Sequence, residues 1–212
     1  MSHYYPIYVE LQNKPVLVVG GGIVAFRKVK TLLEHGAVVR IVSPKVLPEL
    51  KELVDFVRCF WEDKEYSPGD IQDAILVFSC TEKEDVNAEV SRNANEAYRL
   101  INVVDDPEKC TFIVPSILER GDLNIAVSTS GSSPIVAQQI RADLEKQYGN
   151  EMKEYLALLK SWRKPVKSQL TTEQKEIFWA KATNGEVLEL IKNGELDGAK
   201  GVIERCFRSL LV

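Results

Sequence analysis

The 212-residue chain is poor in the residues that metal sites and hydrolytic triads need. It has two histidines, His3 and His35, and four cysteines, Cys59, Cys80, Cys110 and Cys206. No two cysteines form a CxxC pair and their spacings match no zinc template, so no metal site is expected and the thiols read as free and buried in a reducing compartment. His3 stands in a terminus expected to fray. His35 closes a helix, where the dipole favours a cation. A Ser-His-Asp hydrolase and a His-rich metal centre are both poor readings.

Basic charge in excess is missing too. Twenty-seven Lys and Arg face 31 Asp and Glu, a net charge of −4, which argues against nonspecific nucleic-acid binding but leaves room for a local basic pocket. No apolar run reaches the roughly 18 residues that a membrane span needs. The opening Met1-Ser2-His3-Tyr4-Tyr5-Pro6 lacks the basic start and apolar core of a signal peptide. These absences together lead to the expectation of a cytoplasmic protein with no nucleic-acid or membrane partner. Hydrophobic residues at 45% and charged residues at 27% give the balance of a globular chain, long enough for one ordinary domain and a smaller one.

What is present is a regular alternation. Pro15-Val16-Leu17-Val18-Val19 is a β-branched apolar run that suits a strand buried on both faces. After Gly20-Gly21-Gly22, Ile23 to His35 reads as a helix with Val24, Val29, Leu32 and Leu33 mostly on one face, and Gly36 stands where a C-cap glycine belongs. Val38 to Val42 is a second strand, which completes a βαβ unit. A short helix over Val46 to Leu53, a third strand over Phe56 to Trp61, a buried strand over Ala74 to Ser79, a helix over Asp85 to Arg99 and a strand over Leu100 to Val104 continue the pattern. The expected fold is therefore α/β, a Rossmann-type doubly wound parallel sheet. Beyond Asp105-Asp106-Pro107 the texture changes. Phe112–Glu119 and Leu123–Ser128 suggest a hairpin about Gly121-Asp122. Ser133-Pro134 is a helix start, followed by Val136, Ile140, Leu144 and Tyr148 at every fourth position. From Glu151 the chain reads as all helical, with a capping box at Thr171 and Gln174 and breaks at Asn184-Gly185 and Asn193-Gly194.

Two features carry chemistry. Gly20-Gly21-Gly22-Ile23-Val24-Ala25 fits G-x-G-x-x-A between a strand and a helix. Gly20 permits the tight turn, Gly22 lets main chain approach a diphosphate, and Ala25 lets the helix pack closely on the sheet. The helix N-terminus then offers free N–H groups to phosphates. No GK[ST] follows, which excludes a P-loop. The acidic residue that usually binds the adenosine ribose about 20 residues on is missing. Val42-Ser43-Pro44-Lys45 stands there instead. Ser43 could hydrogen-bond the ribose and Lys45 could tolerate a 2′-phosphate, so NAD and NADP are not separated. The second feature is Asn102-Val103-Val104-Asp105-Asp106-Pro107 at the end of a central strand. A carboxylate there, partly buried beside a cofactor cleft, can act as general base. It can equally form an Asx turn before Pro107.

These residues resemble the precorrin-2 dehydrogenase / sirohydrochlorin ferrochelatase family, the N-terminal part of siroheme synthase. The likeness runs through Tyr5-Pro6-Ile7-Tyr8-Val9-Glu10-Leu11, the glycine turn with Arg27-Lys28, Asn102-Val103-Val104-Asp105, Phe112-Ile113-Val114-Pro115-Ser116 and Ile125 to Pro134. The helical tail is a weaker match. The resemblance implies three regions: an NAD-binding domain over 1–113, a small α+β dimerisation segment over 114–148, and a C-terminal helical domain over 149–212 that covers the tetrapyrrole. It implies a homodimer, NAD bound near Gly20, Gly22, Ile23, Val24, Ser43, Pro44 and Lys45, with Cys80, Thr81, Asn102 and Val103 beside it. It makes Asp105 the catalytic base for oxidation of precorrin-2 to sirohydrochlorin. Some members also insert Fe2+, which Asp105 could assist. Lys109, Arg120 and Arg141 are candidates for holding the substrate's carboxylates. In bifunctional relatives the serine-rich turn can carry a phosphoserine, and Thr129 stands at the matching position. No fused methyltransferase domain is expected in this chain. The rival readings are a non-catalytic NAD sensor and a chelatase that works without NAD.

Overall fold

The computed structural model describes residues 4–55 and 57–211. His3 and Phe56 therefore lie outside the described residues. The chain divides into two compact units between Val114 and Pro115.

The first unit is built on five parallel strands: β1 (Pro15–Val19), β2 (Val38–Val42), β3 (Cys59–Glu62), β4 (Leu76–Ser79) and β5 (Leu100–Val103). Their order is β3-β2-β1-β4-β5. The order reverses direction between β1 and β4, and ligands of open α/β sheets bind at such a switch point. Alternate residues of β1 feed two cores. Val16 and Val18 pack with Ala25, Val29 and Leu32 of α1 (Ile23–Glu34) and Leu50 of α2 (Pro48–Lys51). Leu17 and Val19 face the other way, against Val90 and Ala94 of α3 (Glu84–Glu96). Burial on both faces is why these strands read as unbroken apolar runs.

Two expected strands start later than their apolar patterns suggested. β3 begins at Cys59 because the Asp55 carboxylate accepts the N–H groups of Val57, Arg58 and Cys59 at 2.8–2.9 Å and turns the chain first. The hairpin strand expected from Phe112 begins at Ser116. Phe112 instead packs edge-on against Phe78, with ring centroids 5.4 Å apart.

The second unit opens with an antiparallel hairpin, β6 (Ser116–Arg120) and β7 (Leu123–Val127). Next comes α4 (Pro134–Gln147), where Ser133 accepts the N–H of Val136 at 3.3 Å and Pro134 holds the first helical position. Four helices follow: α5 (Glu151–Gln169), α6 (Thr172–Ala182), α7 (Glu186–Lys192) and α8 (Leu196–Ser209). The capping box at Thr171 and Gln174 forms as expected. Their core holds Tyr155, Val166, Phe178, Val187, Ile203 and Phe207.

Candidate functional site

Four loops leave one edge of the sheet side by side. The register pairs Val19 with Val42 and with Ser79, and Ser79 with Val103. Backbone hydrogen bonds extend the pairing past the strands: Gly20 N to Val42 O at 3.0 Å, Cys80 N to Val19 O at 2.7 Å and Val104 N to Ser79 O at 3.0 Å. Gly20–Gly22, Ser43–Lys45, Cys80–Thr81 and Val104–Asp106 are thereby gathered at the switch point.

The three glycines of the turn do different work. Gly20 has φ of +114° and sits so close to the next strand that a Cβ would lie 2.5 Å from the Cys80 carbonyl oxygen. At Gly21 a Cβ would overlap the Lys45 carbonyl oxygen and lie 2.8 Å from Val46 Cα. Gly21 O also accepts the Leu47 N–H at 2.9 Å, so this glycine docks the β2–α2 loop, a role its sequence position did not disclose. Gly22, in contrast, faces open space: nothing lies within 4 Å of a built Cβ. It is the N-cap of α1, no side chain caps the helix, and no acidic residue occupies its first turn. The N–H groups of Ile23 and Val24 therefore point out from a positive helix end with nothing supplied to neutralise them. Ala25 is fully buried under the sheet.

Ser43 is buried, and its hydroxyl donates to the Lys45 carbonyl at 2.7 Å. The Trp61 indole N–H donates to Ser43 O at 2.9 Å. Ser43 thus shapes the loop and has only lone pairs left for a ligand. Pro44 and Lys45 are exposed. On the next loop the Thr81 hydroxyl accepts the Lys83 N–H at 3.1 Å. The Thr81 carbonyl is held by Asn87 Nδ2 at 3.0 Å, and the same Asn87 accepts from the buried Ser79 hydroxyl at 2.6 Å. Ser79 and Asn87 are positioning residues that periodicity alone concealed. A polar residue ending a buried strand was the available signal. Burial pushes the Cys80 thiol up to about 12, with the neighbouring Lys28 pulling it down, and burial lowers Lys28. Lys28 Nζ stands over the Phe78 ring, 5.6 Å from its centroid.

The last loop presents Asp105. Asn102 Nδ2 donates to Phe112 O at 3.1 Å, and Cys110 Sγ meets both Val103 N, at 3.1 Å, and Val103 O, at 3.2 Å. These contacts clamp the end of β5 before the turn. Cys110 is a second residue whose role the sequence hid. Asp105 itself has φ of +60°, a left-handed conformation that Asp tolerates better than most non-glycine residues. Its side chain is exposed, not partly buried as the base reading expected. Among the described residues Asp106 is bonded to Lys109, which holds the Asp106 carboxyl below the usual carboxylate range. Among the described residues Asp105 has no such partner. The two adjacent carboxylates are thus divided: one fastens the turn and one stands open.

Of the cations suggested for substrate carboxylates, Lys109 pairs with Asp106 and Arg141 with Glu145, whereas Arg120 Nη1 donates to the Glu119 carbonyl at 2.8 Å and its buried Nε has no hydrogen-bond partner among the described residues. Among the described residues no group of three or more His, Cys, Asp and Glu side chains is arranged to hold a metal ion, and no helix is long and apolar enough to cross a membrane.

Residues 7–116 match the family described as "Putative NAD(P)-binding". Residues 120–147 match the family described as "Sirohaem biosynthesis protein central", and 154–207 match "Sirohaem synthase dimerisation region". The siroheme synthase of Mannheimia succiniciproducens is 38% identical over 203 residues, covering 95% of this chain and 43% of that protein. That of Zymomonas mobilis is 34% identical over 198 residues, covering 93% and 42%. The chain thus spans under half the length of these relatives. The solved structure of SirC, a precorrin-2 dehydrogenase, superposes with a TM-score of 0.76 at 25% identity, covering 97% of this chain and 100% of that one. An uncapped helix behind a glycine turn, at the switch point of a 3-2-1-4-5 parallel sheet, therefore belongs to a chain of the NAD(P)-binding family whose second half matches the sirohaem biosynthesis central and sirohaem synthase dimerisation families.

Proposed function

We propose that the chain is an NAD-dependent precorrin-2 dehydrogenase, which oxidises precorrin-2 to sirohydrochlorin in siroheme synthesis. One observation carries the reading: the uncapped α1 N-terminus, with open space over Gly22, shares a sheet edge with the unpartnered carboxylate of Asp105. The name and fold of the superposed dehydrogenase support it.

The residues present fit a nicotinamide dinucleotide. The N–H groups of Ile23 and Val24 would take the diphosphate, and the absence of a Cβ at Gly22 leaves it room. Gly20 and Gly21 hold the turn, and Pro44 and Lys45 border the adenosine side. Thr81, Asn102 and Val103 border the nicotinamide side. NAD is favoured over NADP because the Ser43 proton is committed to Lys45. The remaining lone pairs can accept from a ribose 2′-hydroxyl and would repel a 2′-phosphate. When bound, the nicotinamide supplies the hydride acceptor. Asp105 takes the proton that leaves the macrocycle, directly or through a water. Exposure on a clamped turn lets it reach a large substrate, while its left-handed backbone fixes the direction of approach.

The working form is a homodimer in the cytoplasm. Ile135, Val136 and Ile140 of α4 and Ile117 of β6 stay exposed in the single chain, which supports a partner surface over 114–148. The match over 154–207 supports one on the helices. Four free cysteines suit a reducing compartment.

The test is an anaerobic assay of precorrin-2 with NAD+ or NADP+, followed by NADH absorbance, with and without Fe2+. Oxidation with NAD+ well above that with NADP+ is expected. Absence of oxidation with either cofactor overturns the reading, and iron-bound product would add the chelatase activity.

A further inference from the structure

The last strand of the parallel sheet is closed on its two sides by different means. β4 pairs with one side of β5, and residues 110–112 cover the other. Thr111 N donates to Ile101 O at 2.8 Å, and Ile101 N donates to Thr111 Oγ1 at 2.9 Å. One step further along the strand the partner is a sulfur. Val103 N donates to Cys110 Sγ at 3.1 Å, and the same thiol shares its proton between Val103 O and Asp106 O, each at 3.2 Å. Val103 and Asp106 are the two feet of the loop that carries Val104 and Asp105. One thiol therefore ties the strand before Asp105 to the residue after it. Asp106 N closes the same loop onto Val103 O at 3.4 Å. Within the loop Asp105 has the positive φ, a conformation that a non-glycine residue keeps only where its surroundings impose it.

We infer that Cys110 is a positioning residue for proton transfer: by holding both feet of the loop, it sets where the Asp105 carboxylate stands. The inference rests on the dehydrogenase reading for the reaction that Asp105 serves, and on geometry alone for the loop. Cys110 is itself fixed from both sides. The buried Ser91 of α3 donates from Oγ to Lys109 O at 2.9 Å, and Asn95 Nδ2 donates to Ser91 O at 2.8 Å. On the other side Thr111 is bonded to β5. Burial raises the Cys110 thiol above its ordinary range, with the Val103 N–H pulling it down. The shared proton thus stays in place at neutral pH, and a thiol so held is a poor nucleophile, which suits a structural donor and not a covalent role. Proton transfer depends steeply on placement. Loss of this hold should therefore reach the chemistry and spare the diphosphate end of the cofactor site, which other loops build.

The test uses the full chain and three variants: Cys110→Ala, Cys110→Ser and the double variant Asp105→Ala/Cys110→Ala. Cys110→Ala should lower kcat for precorrin-2 oxidation about tenfold with NADH affinity unchanged. Cys110→Ser keeps a donor and an acceptor at the same place and should restore most of the rate. In the Asp105→Ala background the second substitution should cost nothing further, because no carboxylate is left to position. A merely structural role gives the same loss in both backgrounds. Amide hydrogen exchange followed by NMR needs no turnover. The Val103 and Asp106 N–H groups should exchange about tenfold faster in Cys110→Ala, Ile101 should keep the wild-type rate, and Cys110→Ser should restore protection. Failure of the wild-type chain to oxidise precorrin-2, with that exchange pattern present, would overturn the dehydrogenase reading while supporting Cys110 as the anchor of the Asp105 loop. Exchange unchanged in Cys110→Ala, a loss of rate that serine does not restore, or an equal loss in the Asp105→Ala background would overturn the inference.

Discussion

The two units build their candidate surfaces in opposite ways. In the first, the surface is main chain: a glycine turn, a bare helix end and a strand-end turn, each held by backbone hydrogen bonds across the sheet edge. In the second it is side chain: cations and an indole raised on the backs of packed helices. A site made of backbone constrains residue identity tightly, because one added Cβ blocks it. A site made of long side chains constrains composition only loosely, because a Lys in a groove and a Lys in open solvent occupy the same position in a helical repeat.

The sharpest way to break the contrast is at the strand-end turn. Asp105→Ala should cut turnover about a hundredfold or more while NADH affinity, measured by fluorescence titration, stays at the wild-type value. Equal inertness of both proteins toward precorrin-2, with intact NADH binding, would favour a cofactor sensor. Neighbouring glycines supply the next test. Gly21→Ala drives a methyl group into the Lys45 carbonyl and should cost about 3 kcal/mol of stability, the upper range for overpacking, read as a lowered melting temperature. Gly22→Ala meets no atom of the protein. It should melt within about 0.5 kcal/mol of wild type yet bind NADH about tenfold more weakly, since its methyl group fills space left for the diphosphate. If both glycine variants behave alike, the division of labour within the turn is wrong.

A smaller effect tests the buried support. Ser79→Ala removes the hydroxyl that anchors Asn87 and, through it, Thr81. A stability loss of about 1 kcal/mol, with a modest rise in the NAD+ KM, is expected in denaturant melts and steady-state assays. The smallest effect is a pH slope. Burial holds the Cys80 proton up to about 12, against an ordinary value of 9.0. The folded pKa lies above the unfolded one, so this contribution is complete below pH 9 and is lost as pH rises toward 12. Lys28, lowered by burial, contributes in the opposite direction as pH rises. Denaturant midpoints should therefore fall less steeply above pH 9 in Cys80→Ala than in wild type.

Sequence made the first unit legible because its physics is local. β1 and β2 begin and end at the residues their apolar runs indicate, and the turn between β1 and α1 has the conformation that Gly20 and Gly22 imply. Several places where local reading went astray involve a partner farther along the chain. Phe112 belongs to the sheet core through Phe78, and Gly21 is explained by Lys45. Cys110, read as one of four idle thiols, clamps Val103. Among the cations, Lys109 and Arg141 have carboxylate partners within one helical turn, Asp106 and Glu145.

The central claim is that a dinucleotide lies across the loops at the β1–β4 switch point, within reach of Asp105. The most direct measurement is a crystal structure of the protein grown with NAD+. Diphosphate density against the N–H groups of Ile23 and Val24, with the nicotinamide ring beside Val103 and the Asp105 carboxylate, is the predicted result. A cofactor bound elsewhere, or a nicotinamide ring held on the far side of the sheet edge from Asp105, would contradict the account.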